Sequence, residues 1–296
     1  MKRKLIKQGM SGFTIYLPKK WIDRKGLKAG DEISIEESQT GLIIDATLKE
    51  KKQITIEITE ENKHDLKNIL THAYRAGFDT IILKGLITEN QIKLPLLLGF
   101  EITEKENQKI TLESISEPEE NKYDVLLKRT FFIIKETQKI TINDLQTGLK
   151  NFKQIEELTL QSDRYVLFCR RSIQKELAKQ QMLNWELLTF LMHIQHAYFY
   201  LYQYAEKNYK KNPEIIQLLK DLEIYFDLFY NAFYTKKMAY IHKINSQKNS
   251  YQEACRKALT KGKDAIIISH IRELFRLIQI GTSPVLAILL SETYSM

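Results

Sequence analysis

Cysteine is scarce in this 296-residue chain: only Cys169 and Cys255 are present. Two thiols are too few for a disulfide framework or a cysteine metal knuckle. Long apolar runs are also missing. The nearest candidate, residues 264–290, is interrupted by Arg272, Glu273 and Arg276, each costing about 2.5–3.5 kcal/mol at a membrane centre. The opening MKRKLIKQGM has positive charges but no apolar stretch behind them, so it does not read as a secretory signal. There is no GxGxxG and no GxxxxGKS/T phosphate loop. No serine, cysteine or threonine has a base at a recognisable spacing, and no motif marks paired catalytic carboxylates. These absences predict a soluble cytoplasmic protein without membrane insertion, catalytic residues or a cofactor.

With 43% hydrophobic and 28% charged residues the chain is globular. Its length predicts two or three domains. Net charge is +8 and unevenly spread. Residues 1–30 hold nine basic side chains (Lys2, Arg3, Lys4, Lys7, Lys19, Lys20, Arg24, Lys25 and Lys28) against one acidic, Asp23. The remaining 266 residues therefore sum to zero. Concentrated positive charge attracts polyanions and releases counterions when it neutralises phosphates. A solubilising lysine-rich tail is the plainer alternative on composition alone.

The expected fold class is α+β, in three zones. Residues 1–47 read as short strands and turns. LIKQ and FTIYLP flank a Gly9–Gly12 turn, and KKWIDRK forms a short helix opened by Pro18 and capped by Gly26. EISIEE and GLIIDAT follow as alternating strands. About 45 residues bury too little apolar surface alone, so pairing of two copies through strand edges is expected. Residues 48–117 read as a small α/β connector: a strand at Ile54–Ile58, a helix over 60–76, and strands in FDTIILKG and KITLESI, with 91–98 ambiguous. Residues 118–296 are helical in pattern. Leu187, Leu191, Ile194, Tyr198, Leu201 and Ala205 draw one stripe, and Ile215, Leu219, Leu222, Phe226, Phe229 and Phe233 draw another. The expected helices are 119–138, 142–180, 183–210, 214–246, 250–261 and 264–290.

The first zone, SGFTIYLPKKWIDRKGLKAGDEISIEESQTGLII, resembles an AbrB/MazE/SpoVT-type swapped-hairpin domain. The likeness lies in the glycine-bearing turn, Leu17-Pro18-Lys19, the short helix, and Gly26-Leu27 followed by Gly30-Asp31-Glu32. Such domains are intertwined homodimers whose paired β-faces bind DNA. The full layout, together with AYRAGFDTIILKG and LLGFEITEKENQKITLESI, resembles archaeal PhoU-like phosphate-uptake regulators. That resemblance implies a tail of two three-helix bundles and a theme of phosphate homeostasis. In that family an acidic pair four residues apart binds metal on each bundle. Here Gln195 and Phe199, then Phe275 and Gln279, stand at those places. Phenylalanine offers no ligand atom and glutamine only one neutral oxygen, so no metal is expected.

Among sharper possibilities, His193 and His196 lie three apart without a carboxylate or further histidine at matching height, and read as structural. Glu223 and Asp227 read as a solvated helix face. The aromatics between 198 and 240 read as packing, with some tyrosines facing outward as candidates for protein docking. The expected DNA-contacting residues are Arg3, Lys4, Lys7, Ser11, Lys19, Lys20 and Arg24, duplicated in a two-fold dimer. The turn Gln8–Phe13 carries no arginine, so sequence choice would come from turn and DNA shape rather than bidentate guanine contacts. The alternative expectation is an adaptor whose head only dimerises the chain while the helices dock on a phosphate transporter ATPase or signalling protein.

Overall fold

A computed structural model describes the whole chain except residues 1, 2, 10, 11, 39, 40, 46–50, 88–90, 93, 117–119, 176–179, 263, 295 and 296. The fold is mixed α+β: small sheets toward the N-terminus, then long helices. It divides into two compact units, Met1–Lys51 and Lys52–Met296.

The first unit contains β1 (Ile6–Gln8), β2 (Gly12–Thr14), α1 (Lys19–Lys25), β3 (Ser34–Ser38) and β4 (Gly41–Asp45). β1 pairs with β2 and β3 with β4, both antiparallel, as separate two-stranded sheets.

The second unit opens with a four-stranded mixed sheet in the order β5-β6-β8-β7, formed by Gln53–Ile58, Thr80–Gly85, Lys109–Ser114 and Phe100–Glu106. β5 and β6 are parallel, joined through a 3-10 turn at Lys63–Asp65 and helix α2 (Leu66–Arg75). Register lines up Ile54, Ile81, Leu112 and Ile102 across the strands, and Ile56, Leu83 and Ile110 beside them. Since partners across a ladder share a face, these rows make one apolar surface. Leu66, Leu70, Ala73 and Tyr74 of α2 join its core.

Six helices follow: α3 (Glu120–Thr147), α4 (Phe152–Gln174), α5 (Gln181–Asn208), α6 (Pro213–Thr235), α7 (Met238–Thr260) and α8 (Ala265–Tyr294). α3, α4 and α5 pack on one another, as do α6, α7 and α8. Contacts of α5 with α8 and of α3 with α6 fuse the two sets around one apolar core. Phe131 of α3 is a hub of that core, ringed by Phe226, Phe229, Tyr230, Phe233 and Tyr234 of α6.

Helix boundaries differ from the sequence expectation at several places, and the helix expected to run to 180 ends at Gln174. The break expected after 138 lies instead at Gly148–Asn151. The polar run Thr137-Gln138-Thr141 stays helical because its side chains bond inside the bundle. Thr141 Oγ1 donates to the Thr137 carbonyl at 2.7 Å, and Gln138 Nε2 to Tyr198 Oη at 3.0 Å. The turn is fixed by buried Asp144, whose carboxylate accepts the backbone and side-chain N–H groups of Asn151 and the Tyr202 hydroxyl. The helix expected over 214–246 ends at Lys236, which adopts a left-handed φ of 57°. The gap expected near 246–250 is continuous helix, with Ile244 and Cys255 buried on either side. Helix α8 also corrects an expectation. By length and composition Ala265–Glu292 is apolar enough to cross a bilayer, although just over half of the apolar window is buried inside the fold.

A buried ion pair helps join the α/β layer to the helices. Arg171 of α4, 1% exposed, sends Nη2 to Asp79 Oδ1 at 2.9 Å, and Nη1 to the carbonyls of Tyr74 (3.1 Å) and Phe78 (2.6 Å). Its guanidinium lies over the rings of Tyr74 and Phe100. Asp79 also accepts from Lys175 Nζ and from the backbone N–H of Lys52. Burial alone would raise the Asp79 pKa. The hydrogen bonds from Lys175 and Lys52 and the charges of Lys175 and Arg171 outweigh it and hold the carboxyl below its ordinary value. A folded-state pKa below the unfolded one adds stability that is complete above about pH 4 and is lost as pH falls through the folded value. Asp79→Asn should therefore lower the unfolding free energy at pH 7 by about 3–5 kcal/mol. Its denaturation midpoints should also fall less steeply than the parent's as pH drops below about 4. Urea titrations at stepped pH read both effects, and parallel midpoints for the two proteins would contradict the assignment.

Candidate nucleic-acid interface

The first hairpin turns on glycine chemistry. Gly9 has φ 69°, and a Cβ at Gly12 would stand 2.9 Å from the Gln8 carbonyl oxygen, closer than a side chain allows. β2 leads to Pro18, which serves as the N-cap of α1, one place before the helical position expected for it. At the other end Gly26 takes φ 70°, as expected. Its N–H reaches the Asp23 carbonyl, and the N–H of Leu27 reaches that of Ile22. The Leu27–Asp31 turn closes with Asp31 Oδ2 accepting the Lys28 N–H at 2.7 Å.

The expected contact residues fall on two elements. Arg3 and Lys4 precede β1, and Lys7 sits on it directly opposite Phe13. Lys19, Lys20 and Arg24 lie on α1, where Lys20 and Arg24 are four apart and share a helix face. All six are exposed. Ser11 lies outside the described residues. Lys19 and Lys20 occupy the first turn of α1, where no acidic residue offsets them. A helix N-terminus is itself positive, so the two lysines add to rather than cancel its field.

No described residue from Arg3 to Ile44 is buried. Instead Leu5, Ile6, Phe13 (64% exposed), Ile15, Tyr16 (72%), Ile35 and Leu42 (64%) face solvent. In β3 and β4, Ile35 stands opposite Ile44, and Leu42 opposite Glu37. Full burial of such side chains is worth about 1.5–3 kcal/mol each, a gain this unit does not realise alone.

The second unit holds other chemical possibilities. His196 pairs with Asp163 of α4 at 2.7 Å, a carboxylate partner that its own helix did not reveal, while His193 is exposed. Asp227 pairs with Lys135 at 2.7 Å. Gln195 is fully buried and donates to Thr137 and Thr159, and Phe275 stacks on Tyr251 with centroids 4.4 Å apart. Among the described residues no three His, Cys, Asp or Glu side chains are grouped to hold a metal ion. A groove of about 660 Å³ runs between α4 and the 3-10 turn at Leu94–Leu96. It is lined by Leu96, Leu158 and Leu160 with Lys67, Glu157 and Arg164. Its volume lies within the range usual for small-molecule pockets. Comparison with protein-family models, curated proteins and solved structures gives no match for this chain.

Proposed function

We propose that this protein is a homodimeric DNA-binding regulator. Its first 47 residues form an AbrB-like head, residues 48–117 a connector, and residues 118–296 a PhoU-like helical tail that senses an effector or docks a partner. The observation carrying this reading is the first unit: none of its described residues is buried, its apolar strand residues are exposed, and its first thirty residues carry a net charge of +8. Two copies would cover each other's apolar faces and bring together the +8 of residues 1–30 twice over. Arg3, Lys4, Lys7, Lys19, Lys20 and Arg24 would then meet phosphates, with Ser11 at the turn. Such contacts position a protein on DNA without reading sequence.

In this reading the protein is cytoplasmic, is not inserted in a membrane and catalyses no reaction. Its physiological theme is phosphate uptake, by resemblance. The groove beside α4 gives the tail a place for an effector. A second reading is favoured by Tyr200, Val125, Phe132 and Ile224, which are large side chains exposed on α5, α3 and α6. In it the head only dimerises, and the helices dock on a phosphate transporter ATPase or a signalling partner.

Lys19→Glu/Lys20→Glu should weaken binding to duplex DNA at least about tenfold at 0.15 M salt. It should also flatten the slope of log affinity against log salt, each lost phosphate contact removing about one unit. A fluorescence titration giving equal affinity and slope for variant and parent rejects the DNA reading and favours the adaptor. Phe13→Asp/Leu42→Asp should convert the dimer to monomer in sedimentation while leaving helical melting of the second unit unchanged. A parent that already sediments as a monomer removes the basis for both readings.

A further inference from the structure

Two adjacent arginines on α4 are treated very differently by the fold. Arg171 is buried with a carboxylate and two carbonyls. Arg170 is also buried, 3% exposed, yet among the described residues its guanidinium makes one hydrogen bond, from Nη2 to Thr189 Oγ1 at 2.8 Å. That hydroxyl gives its own proton to the Trp185 carbonyl. The Nε of Arg170 has no partner. Its guanidinium lies 5.1 Å from the centre of the Trp185 ring, and a second guanidinium, that of Arg75 in the last turn of α2, lies 5.8 Å from the same ring. Among the described residues neither arginine is in ion-pair contact with a carboxylate. Asp163, whose charge reaches Arg170, has its Oδ1 2.7 Å from His196 Nε2.

Like charges gathered at one indole, one of them out of water, are costly unless something negative joins them. Burial, then the charge of Arg75, push the Arg170 pKa down to about 10, against a smaller opposing pull from Asp163. Guanidinium forks bind carboxylate and phosphoryl oxygens in pairs. Arg75 is only partly buried, which leaves one side of the pair open to solvent.

We propose that Arg75 and Arg170, gathered around Trp185 with Thr189, form a binding site for a small oxyanion, a carboxylate or phosphoryl group held between α2, α4 and α5. The anion completes the hydrogen bonding of Arg170 and neutralises the repulsion between the two guanidiniums. Because Arg75 belongs to the α/β layer and the others to the helical core, a bound anion tightens the joint between those layers. This site is independent of DNA binding.

The test uses the full chain carrying Trp21→Phe, which leaves Trp185 as the sole indole. Its fluorescence is titrated with inorganic phosphate and with succinate, using chloride at matched ionic strength as control. The expected result is a saturable change with at least one oxyanion, a higher melting temperature in its presence, and no such change with chloride. Saturation by phosphate alone assigns the phosphoryl group, by succinate alone the carboxylate. Arg75→Ala should weaken that binding at least about tenfold. Arg170→Met, which replaces a buried charge by an apolar side chain of similar length, should melt no lower than the parent without anion and lose the titration. Absence of a saturable response to both oxyanions up to about 10 mM overturns the proposal, as does a response shared by chloride or unchanged by Arg75→Ala.

Discussion

The second unit depends on a single electrostatic knot at Asp79. Its carboxylate holds Arg171 and Lys175 of α4 and the backbone N–H of Lys52, where β5 begins. Its own N–H returns to the Lys52 carbonyl, and its carbonyl accepts from Ser114 at the end of β8. One residue therefore fixes where β5 starts, where β8 ends and where α4 is tied to the layer. Ion pairs of this kind contribute little net stability over an apolar substitute, because both charges must leave water. Their effect is to penalise every other arrangement: if α4 slides, two cations and an anion are stranded in a low-dielectric interior. Tyr74 and Phe100, meeting edge to face, supply the apolar walls that make that penalty large.

The two units meet the same requirement in opposite ways. The second unit buries its strand and helix faces internally, with one core under the sheet and another through the six helices. The first has the sequence pattern of a folded β domain, with capped helix, glycine turns and alternating strands, but lacks the bulk to cover both hairpins. Some 45 residues are below the size at which a lone core normally suffices. Exposed Phe13, Tyr16, Ile35 and Leu42 are consequences of that limit. In the proposed dimer the first unit would gain its apolar burial by association, and its charged residues would then be linked to assembly state.

How much of this was legible in the sequence follows from the range of each interaction. The apolar stripes of α5 and α6, the alternation in β5 and β8, and the Gly26 cap are set by residues within a turn or two, and were readable. The hairpin partner of β8 was not. Within Phe100–Glu106 only Phe100 and Ile102 are apolar, and four of the seven residues are charged, as suits an edge strand. The continuation of α3 through Thr137–Thr141 depends on Tyr198 and Gln195, more than fifty residues away. The end of α6 depends on Lys236 reaching Glu292 and the face of Phe233. Asp79 and Arg171 are 92 positions apart; neither carries a local signal. For the candidate interface, composition gave the charge and its location in the first thirty residues. The division of Lys7 from Lys19, Lys20 and Arg24 between a hairpin and a helix follows from the turns, while the surface a pair of copies would make does not.

The interior chemistry of the helices is neutral where a metal site would be sought. Gln195, Phe199, Phe275 and Gln279 lie on α5 and α8. Each is put to a neutral use. Gln195 ties Thr137 to Thr159, Phe275 stacks against Tyr251, Gln279 reaches Asn245, and Phe199 packs beside Phe152. Hard cations need carboxylate oxygens, and these positions have none to give. Positive side chains have instead accumulated where α2 meets α4 and α5: Arg75, Arg170, Arg171 and Lys175, of which only the last two share an anion, Asp79. A layer junction with surplus positive charge suits the proposed anion site, and an anion bound there would act on the same helix that Asp79 holds in place.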